Sequence, residues 1–314
     1  MDYHALTSNG WSVIMSSRAY PFYLYIGVLL ILFMQLFIFL DARELTTWAT
    51  PVFWTGLILV LDAVLYGATR RSLVRTGAVV PLAAVSVIGW WMFEWFNIFL
   101  SNWHYENLVD SPWLLYPAYV WSFATIIPGI FLMYGVMLTL VRSLRGRPFP
   151  TGRRALTVLF LIGLAFLFVP IIPFSMYYVN RAADASLFSF LTWTANTYYS
   201  EFTAAFVWLG FALLLEPFNL LMGNPSLLRS MSRGDYRPLV VLGLSGLLCG
   251  YLWEFWNYWA HTKWHYTVPI LGHIKLFEMP VLGYLGFIPF AWELYAMVAL
   301  VYPQAIRVIE GKAS

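Results

Sequence analysis

Charged residues are scarce in this sequence: Asp, Glu, Lys and Arg make up 11% of its 314 residues, whereas hydrophobic residues make up 61%. A soluble globular domain carries about a quarter charged residues. Apolar runs of roughly 20 residues, the length that crosses a bilayer, recur along the chain. The composition therefore excludes an ordinary soluble domain. It predicts a polytopic, all-α membrane protein that has the lipid bilayer as a partner.

Cysteine and histidine are also rare. Cys249 is the single cysteine, so no disulfide can form within the chain. The five histidines form no H-x-x-H or E-x-x-H pattern, and we predict no metal site and no histidine-rich di-iron hydroxylase. Walker A, Rossmann and G-x-S-x-G signatures are absent too, so we expect neither a nucleotide site nor an elbow serine. The sequence identifies no cofactor.

Eight apolar segments are long enough to cross a membrane. They lie at about 21–41, 51–68, 77–100, 115–141, 155–178, 198–221, 238–260 and 280–303. Of the 18 Lys and Arg residues, 14 lie before the first span or after an even-numbered one. Basic loops stay in the cytoplasm, so we expect both termini there, in a bacterial-type inner membrane. The net charge of +3 thus reflects topology and does not indicate nucleic acid.

The chain repeats itself. "FEWFNIFLSNWHY" at 93–105 and "WEFWNYWAHTKWHY" at 253–266 share a Glu, an Asn and a Trp-His-Tyr triplet at an offset of 160 that becomes 161. A basic linker at 142–154 separates the two halves, which we place at 1–146 and 147–314. Because each half holds four spans, both halves enter the membrane in the same direction. We therefore predict eight transmembrane helices in two parallel four-helix repeats, related by an axis along the membrane normal.

The repeated set supplies the candidate site residues. Glu94 and Asn97, like Glu254 and Asn257, lie three residues apart and so share one face of a helix. An acidic side chain at mid-span costs roughly 2.5–3.5 kcal/mol on insertion scales, so such residues usually face the bundle interior and serve a function. If the halves pack symmetrically, both pairs converge on one pocket.

Three further residues complete the predicted catalytic set. His104 and His265 follow the helix ends, where they would guard the mouth of the pocket or relay protons. Glu293 has Leu132 as its counterpart in the first half and would distinguish one end of the site from the other. The Trp and Tyr residues of the triplet are belt-like by position, as expected at a membrane interface. For the asparagines, a purely structural hydrogen bond between helices is an equal alternative.

Three functions fit these residues. The first is an enzyme that acts on a hydrophobic small-molecule substrate by acid catalysis from Glu94, Glu254 or both, with the asparagines orienting the acids. The second is a secondary transporter or channel, which would need broken helices facing the site; Pro128 and Pro289 offer a hint of those. The third is a haem- or quinone-binding subunit of a larger complex, with His104 and His265 as a ligand pair.

The stretch from Trp256 to Tyr295 resembles the membrane-embedded carotenoid cyclases and hydratases. The resemblance consists of a helix end with Trp and Asn, a W-x-Y turn, a glycine-bearing loop, and a closing helix with F-x-P-F and the acid Glu293. It implies protonation of an isoprenoid double bond by a buried carboxylic acid, with aromatic rings shielding the carbocation. The cyclase Pro-x-Glu-Glu element is not present, since Val281 and Leu282 follow Pro280. No role is carried over to those positions.

Overall fold

The computed structural model describes residues 20–171, 202–268 and 271–312, and its regular secondary structure is almost entirely helix, with four short strands. The helices are α1 (Tyr23–Phe39), α2 (Arg43–Thr46), α3 (Ala49–Thr69), α4 (Val79–Leu100), α5 (Pro112–Ala124), α6 (Ile126–Leu140), α7 (Arg153–Phe168), α8 (Ala204–Met222), α9 (Leu227–Ser232), α10 (Arg237–Trp259), α11 (Phe287–Val301) and α12 (Pro303–Glu310). The short strands are β1 (Trp103–Glu106), β2 (Lys263–Tyr266), β3 (Lys275–Leu276) and β4 (Met279–Pro280), and a 3₁₀ helix (Val281–Gly286) precedes α11.

In the described ranges, six helical segments are long and apolar enough to cross a membrane, so the prediction of a multi-pass membrane protein is confirmed. They are α3, α4, α5 with α6, α8, α10, and the 3₁₀ helix with α11. Helix α1 is apolar but has only 17 residues. Helix α7 lies in the predicted fifth span, whose end falls beyond residue 171 and outside the described residues. The count of eight spans stays a prediction.

Two of the spans are not single continuous α-helices. The predicted span at 115–141 consists of α5 and α6, which meet at Thr125, and the last span passes from the 3₁₀ helix to α11 at Phe287. A proline has no N–H to donate to the carbonyl four residues earlier, and its ring clashes with that carbonyl. For Pro128 that carbonyl belongs to Ala124, the last residue of α5. Pro289 has the same relation to Leu285 in the 3₁₀ helix.

Glycine pairs allow close helix contacts in two places. A Cβ atom added to Gly56 on α3 would lie 2.8 Å from the backbone oxygen of Gly27 on α1. Similarly, a Cβ atom on Gly163 of α7 would lie 2.8 Å from the backbone oxygen of Gly210 on α8. Small residues let helix backbones approach closely in a membrane, where van der Waals packing drives association. These contacts attach α1 to α3 and α7 to α8.

Two buried acids hold the turns that follow α3 and α8. Asp62 accepts a hydrogen bond of 2.5 Å from the hydroxyl of Ser72, ten residues later. Glu216 accepts one of 2.7 Å from Ser226, also ten residues later. Each carboxylate also accepts a backbone N–H from the residues just after its serine. The acids therefore satisfy donors that would otherwise be unpaired in an apolar interior.

Strands β1 and β2 pair to form a two-stranded ribbon that joins the first and second halves of the chain. The ribbon lies at one end of the helix bundle, which we call the ribbon end. Ser101, at the end of α4, has a φ of 48° and turns the chain into β1. The strands pair antiparallel, with His104 opposite His265. At the other end of the bundle, Glu310 of α12 accepts hydrogen bonds of 2.9 Å from both Tyr134 and Tyr295. Contacts between the two parts of the chain therefore close both ends of the bundle.

Candidate functional site

Glu94 lies near the ribbon end of α4 and receives three hydrogen bonds on one oxygen. The indole N–H groups of Trp90 and Trp103 donate to Oε1 at 2.8 and 3.2 Å. The hydroxyl of Tyr105 donates to the same atom at 2.5 Å. Trp90 is one helical turn before Glu94, and the other two donors come from β1. The carboxyl group is thus enclosed by aromatic side chains that each point a polar hydrogen at it.

Glu254 on α10 has a related but sparser environment. Trp264 and Tyr266 of β2 donate to its Oε1 at 3.3 and 3.0 Å. Its Oε2 is buried and has no hydrogen-bond partner among the described residues. The position that corresponds to Trp90 is Gly250, whose missing side chain leaves room for the ring of Phe287. The two acids therefore share a pattern of donors but differ by one indole.

The two asparagines bind strand backbone and not the acids. Asn257 accepts from the N–H of Trp264 at 2.9 Å and donates to its carbonyl at 2.8 Å. Asn97 donates to the carbonyl of Trp103 at 2.8 Å and accepts from the backbone of Asn102 at 2.9 Å. Each asparagine thus fixes the strand that carries the donors to the neighbouring glutamate. Its influence on the acid is indirect.

A cavity of about 450 Å³ lies beside the two strands. That volume falls within the range of small-molecule sites, roughly 300–1,000 Å³. Aromatic side chains make up much of its wall: Trp90, Trp103, Tyr105, Tyr119, Phe123, Trp208, Trp253, Trp264, Tyr266, Phe287 and Phe290. Lys263 is the charged residue of the lining, and its Nζ lies 3.6 Å from a carboxylate oxygen of Glu278. The cavity suits an uncharged, apolar ligand.

The tyrosines connect the acids to the cavity. Tyr105 and Tyr266 line it, whereas Glu94 and Glu254 lie behind them and do not. Burial and the adjacent glutamate raise the pKa of the Tyr105 phenol well above its usual range, and the same two causes raise the pKa of Tyr266. Both phenols therefore keep their protons at neutral pH. A proton from either carboxyl group could reach a ligand only through a phenol.

The two histidines lie outside the cavity. Their rings stack with centroids 5.8 Å apart. The ring nitrogens of His265 contact carboxylate oxygens of Glu106 at 3.1 Å and Glu278 at 2.9 Å, and His104 contacts Glu106 at 3.3 Å. Stacked rings whose nitrogens face carboxylates do not present a pair of axial ligands. Nowhere in the described ranges do three or more His, Cys, Asp or Glu side chains come together in a way that could hold a metal ion.

Glu293 also lies away from the cavity wall. It is fully buried in α11, and neither carboxyl oxygen has a hydrogen-bond partner in the described part of the chain. Phe290, one turn earlier on the same helix, lines the cavity. Glu293 is therefore one turn below the cavity and is not among the groups that a ligand would touch.

Comparisons with known proteins give no relative: no protein-family description, no curated protein and no solved structure matches the chain. The resemblance to carotenoid cyclases and hydratases therefore stays a prediction based on short motifs.

Sequence analysis assigned Tyr105 and Tyr266 to an aromatic belt at the membrane interface and so missed their contact with the glutamates, although the sequence contained a signal for it. Tyr105 and Tyr266 belong to the repeated Trp-His-Tyr triplet, and the histidine at its centre attracted the functional interpretation. In a strand, alternate side chains point to the same face. The Trp and the Tyr of each triplet therefore point toward the glutamates, and the histidine points away.

Proposed function

We propose that this protein is an integral membrane enzyme that acts on a lipid-soluble, isoprenoid-like substrate by acid catalysis. The observation that carries the proposal is the aromatic cavity with two buried carboxyl groups behind it, each bonded to a phenol that lines the wall. The lining fits an apolar substrate. The carboxyl–phenol pairs fit proton transfer to a carbon–carbon double bond, which needs no metal and no redox cofactor.

The proposed chemistry conserves atoms and charge. The phenol of Tyr105 or Tyr266 gives its proton to one carbon of the double bond, and the π electron pair becomes the new C–H bond. In the same step the neighbouring carboxylic acid restores the proton of the phenol. The adjacent carbon is now cationic. A C–H bond on a carbon next to it then breaks, its electron pair forms the new double bond, and its proton goes to a phenol that passes its own proton on to the hydrogen-bonded carboxylate. The net result is an isomerisation. If a second double bond of the substrate attacks the cation before the proton is lost, its electron pair forms a carbon–carbon bond and the result is a cyclisation.

The wall of the cavity suits a cationic intermediate. The faces of Trp and Phe rings attract positive charge, with an energy of about 2 kcal/mol or more when the site is desolvated. Phe290 lies within 6.5 Å, centroid to centroid, of Trp90, Trp208 and Trp253. An intermediate formed near these rings would be shielded from water. Exclusion of water favours loss of a proton over addition of a hydroxyl group.

We also propose the finer architecture: eight spans in two parallel four-helix repeats, with both termini in the cytoplasm. Matching contacts support it. Gly56 and Gly210 each contact a glycine on a neighbouring helix, and Asp62 and Glu216 each accept a hydrogen bond from a serine ten residues later. Gly56 and Gly210, Asp62 and Glu216, and Ser72 and Ser226 are each 154 residues apart, whereas the partner glycines Gly27 and Gly163 are 136 apart. Pairing of His104 with His265 is what a twofold axis through the ribbon would give.

The first test is a UV–visible spectrum of the gently purified protein, followed by mass spectrometry of its solvent extract. A polyene or other isoprenoid in the extract supports the proposal and supplies the substrate for assay. Conversion should then fall at least 100-fold in Glu94→Gln or Glu254→Gln, because general acid catalysis contributes about 10²–10⁴-fold. Glu293→Gln is the matched control, a buried acid away from the cavity. A haem band, an extract of bulk phospholipid alone, or full conversion by both variants would contradict the proposal.

A secondary transporter is the second candidate, and the broken spans favour it. Both breaks place a residue on the cavity wall, Ile126 at the start of α6 and Phe287 at the start of α11. Transporters often form their binding sites from such discontinuous helices. Uptake of the extracted molecule into proteoliposomes, without any change in its mass or structure, would favour this function over the enzyme.

A further inference from the structure

Trp208 on α8 carries a hydrogen-bond donor without a partner. The indole lines the cavity, is half-buried, and has no acceptor for its N–H in the described part of the chain. We infer that the cavity binds an isoprenoid with one uncharged oxygen group, a hydroxyl, carbonyl or ether, and that this oxygen accepts a hydrogen bond from Trp208. This inference rests on the proposed function and specifies the chemical class of its substrate.

Two other tryptophans of the wall show how such a donor is satisfied within the protein. The N–H groups of Trp90 and Trp103 donate to Glu94 at 2.8 and 3.2 Å. An indole nitrogen can only donate, and a donor that leaves water without finding an acceptor costs free energy. The acceptor for Trp208 must therefore come from the contents of the cavity. An ordered water molecule is the alternative acceptor, and it would give no preference for an oxygen-bearing ligand.

A glycine keeps the N–H edge of Trp208 open. Gly286, at the end of the 3₁₀ helix, also lines the cavity. If a Cβ atom were added to it, the nearest atoms outside the local chain would be Cδ1 and Nε1 of Trp208, at 3.7 and 3.9 Å. The nitrogen edge of the indole therefore borders the space that a side chain at position 286 would fill.

The corresponding tryptophan of the first half has a different environment. Trp54 precedes Trp208 by 154 residues, the offset that relates Gly56 to Gly210. Its ring is fully buried and its N–H is sealed in the interior without a partner, whereas the cavity wall does not include it. Packing accounts for an indole ring at both positions, but only Trp208 presents its N–H where a ligand can reach it.

The surroundings of Trp208 favour a neutral oxygen group near one of the acids. Its ring stacks on Trp103 at 6.3 Å, and Trp103 is bonded to Glu94. A ligand oxygen held by Trp208 therefore places the neighbouring carbons on the side of the cavity that Glu94 serves. A phosphate would need a free cation, but the charge of Lys263 is paired with Glu278.

The test measures the binding of tritiated farnesol to the purified full-length protein in nanodiscs by scintillation proximity, with empty nanodiscs as background. Three unlabelled competitors are compared after correction for partition into lipid. They are farnesol, its methyl ether, which accepts but cannot donate a hydrogen bond, and the hydrocarbon in which hydrogen replaces the hydroxyl group. Trp208→Phe removes the N–H and keeps an aromatic ring, and Gly286→Val covers the N–H. Trp113→Phe, at a ring that is 89% exposed, and Gly152→Val, with nothing within 4 Å of its added Cβ, are the matched controls.

The expected result is saturable binding in which farnesol and its methyl ether compete equally well. The hydrocarbon should compete about tenfold more weakly, a ratio equivalent to about 1.4 kcal/mol and within the range of one hydrogen bond. In Trp208→Phe and in Gly286→Val the alcohol and the hydrocarbon should compete equally, whereas both controls keep the ratio of the unmodified protein.

Four outcomes would overturn the inference. They are no saturable binding of farnesol, a hydrocarbon that competes as well as farnesol, a ratio that persists in Trp208→Phe, and loss of the ratio in Tyr119→Phe or Trp253→Phe, two other polar rings of the wall, instead. Binding and conversion are separate measurements. Acid catalysis fails if Glu94→Gln and Glu254→Gln both keep full conversion, whatever Trp208→Phe does to the binding of farnesol.

Discussion

The substitution Asn257→Leu should release strand β2 from helix α10, which supports it. The side chain of Asn257 is fully buried and bonds both backbone groups of Trp264. Leucine has a similar size but can neither donate nor accept a hydrogen bond. The substitution therefore removes the two bonds that fix β2 beside Glu254, while it fills the same space.

The structure sets the size of this effect. Removing one partner of a buried hydrogen bond costs about 1–3 kcal/mol, because the other partner is left unsatisfied. Here an N–H and a C=O group both lose their partner. Trp264 is half-buried, so water can recover part of the loss. We expect the free energy of unfolding to fall by about 2–4 kcal/mol.

Unfolding in mixed micelles, by titration with dodecyl sulfate and detection of tryptophan fluorescence, measures the change. Trp259→Leu on the same helix is the control, since its side chain is 51% exposed and its replacement should cost less than about 0.5 kcal/mol. If Asn257→Leu cost no more than the control, the asparagine would not be the support of the strand.

Three further outcomes follow from contacts described above. Gly56→Leu should lower the unfolding free energy by about 1–3 kcal/mol through overpacking, whereas Gly152→Leu, with nothing within 4 Å of its added Cβ, should have little effect in the same titration. The pKa of the Tyr105 phenol is raised in the folded state, so as the pH rises above about 10 this phenol loses its proton in the unfolded chain first, and the free energy of unfolding falls. In Tyr105→Phe, the free energy of unfolding measured from pH 8 to 11 should fall less steeply. An unchanged slope would contradict the raised pKa of Tyr105. Glu310→Ala should cost about 2–4 kcal/mol because two phenols lose their acceptor, and Glu310→Gln, which keeps an oxygen, should cost clearly less in the same assay.

The membrane class and most helices could be predicted from the sequence because apolar length is a local property. The predicted spans at 51–68, 77–100 and 238–260 agree with α3, α4 and α10 within a few residues. The breaks within two spans follow from Pro128 and Pro289, whose effect on the carbonyl four residues earlier is also local. In the sequence alone, Pro128 and Pro289 gave only a hint of broken helices.

The ribbon could not be predicted, because it depends on contact between strands about 160 residues apart. Each strand is four residues long, too short for alternation to identify it. Without the ribbon, Trp103 and Tyr105 resemble residues of a membrane interface, and His104 resembles the functional member of the triplet. Pairing of the strands reverses these roles, because it turns the Trp and Tyr side chains toward the glutamates and leaves the histidine on the outer face of the ribbon.

The bond between Glu310 and the two tyrosines has a consequence for biosynthesis. Tyr134 belongs to the first half of the chain and Tyr295 to the last span, while their shared acceptor follows both in the order of synthesis. Segments made first fold first, so Tyr134, which precedes Glu310 by 176 residues, must wait without this partner until α12 is made. The junction between the halves is therefore completed only when α12 is made, late in the synthesis of the chain.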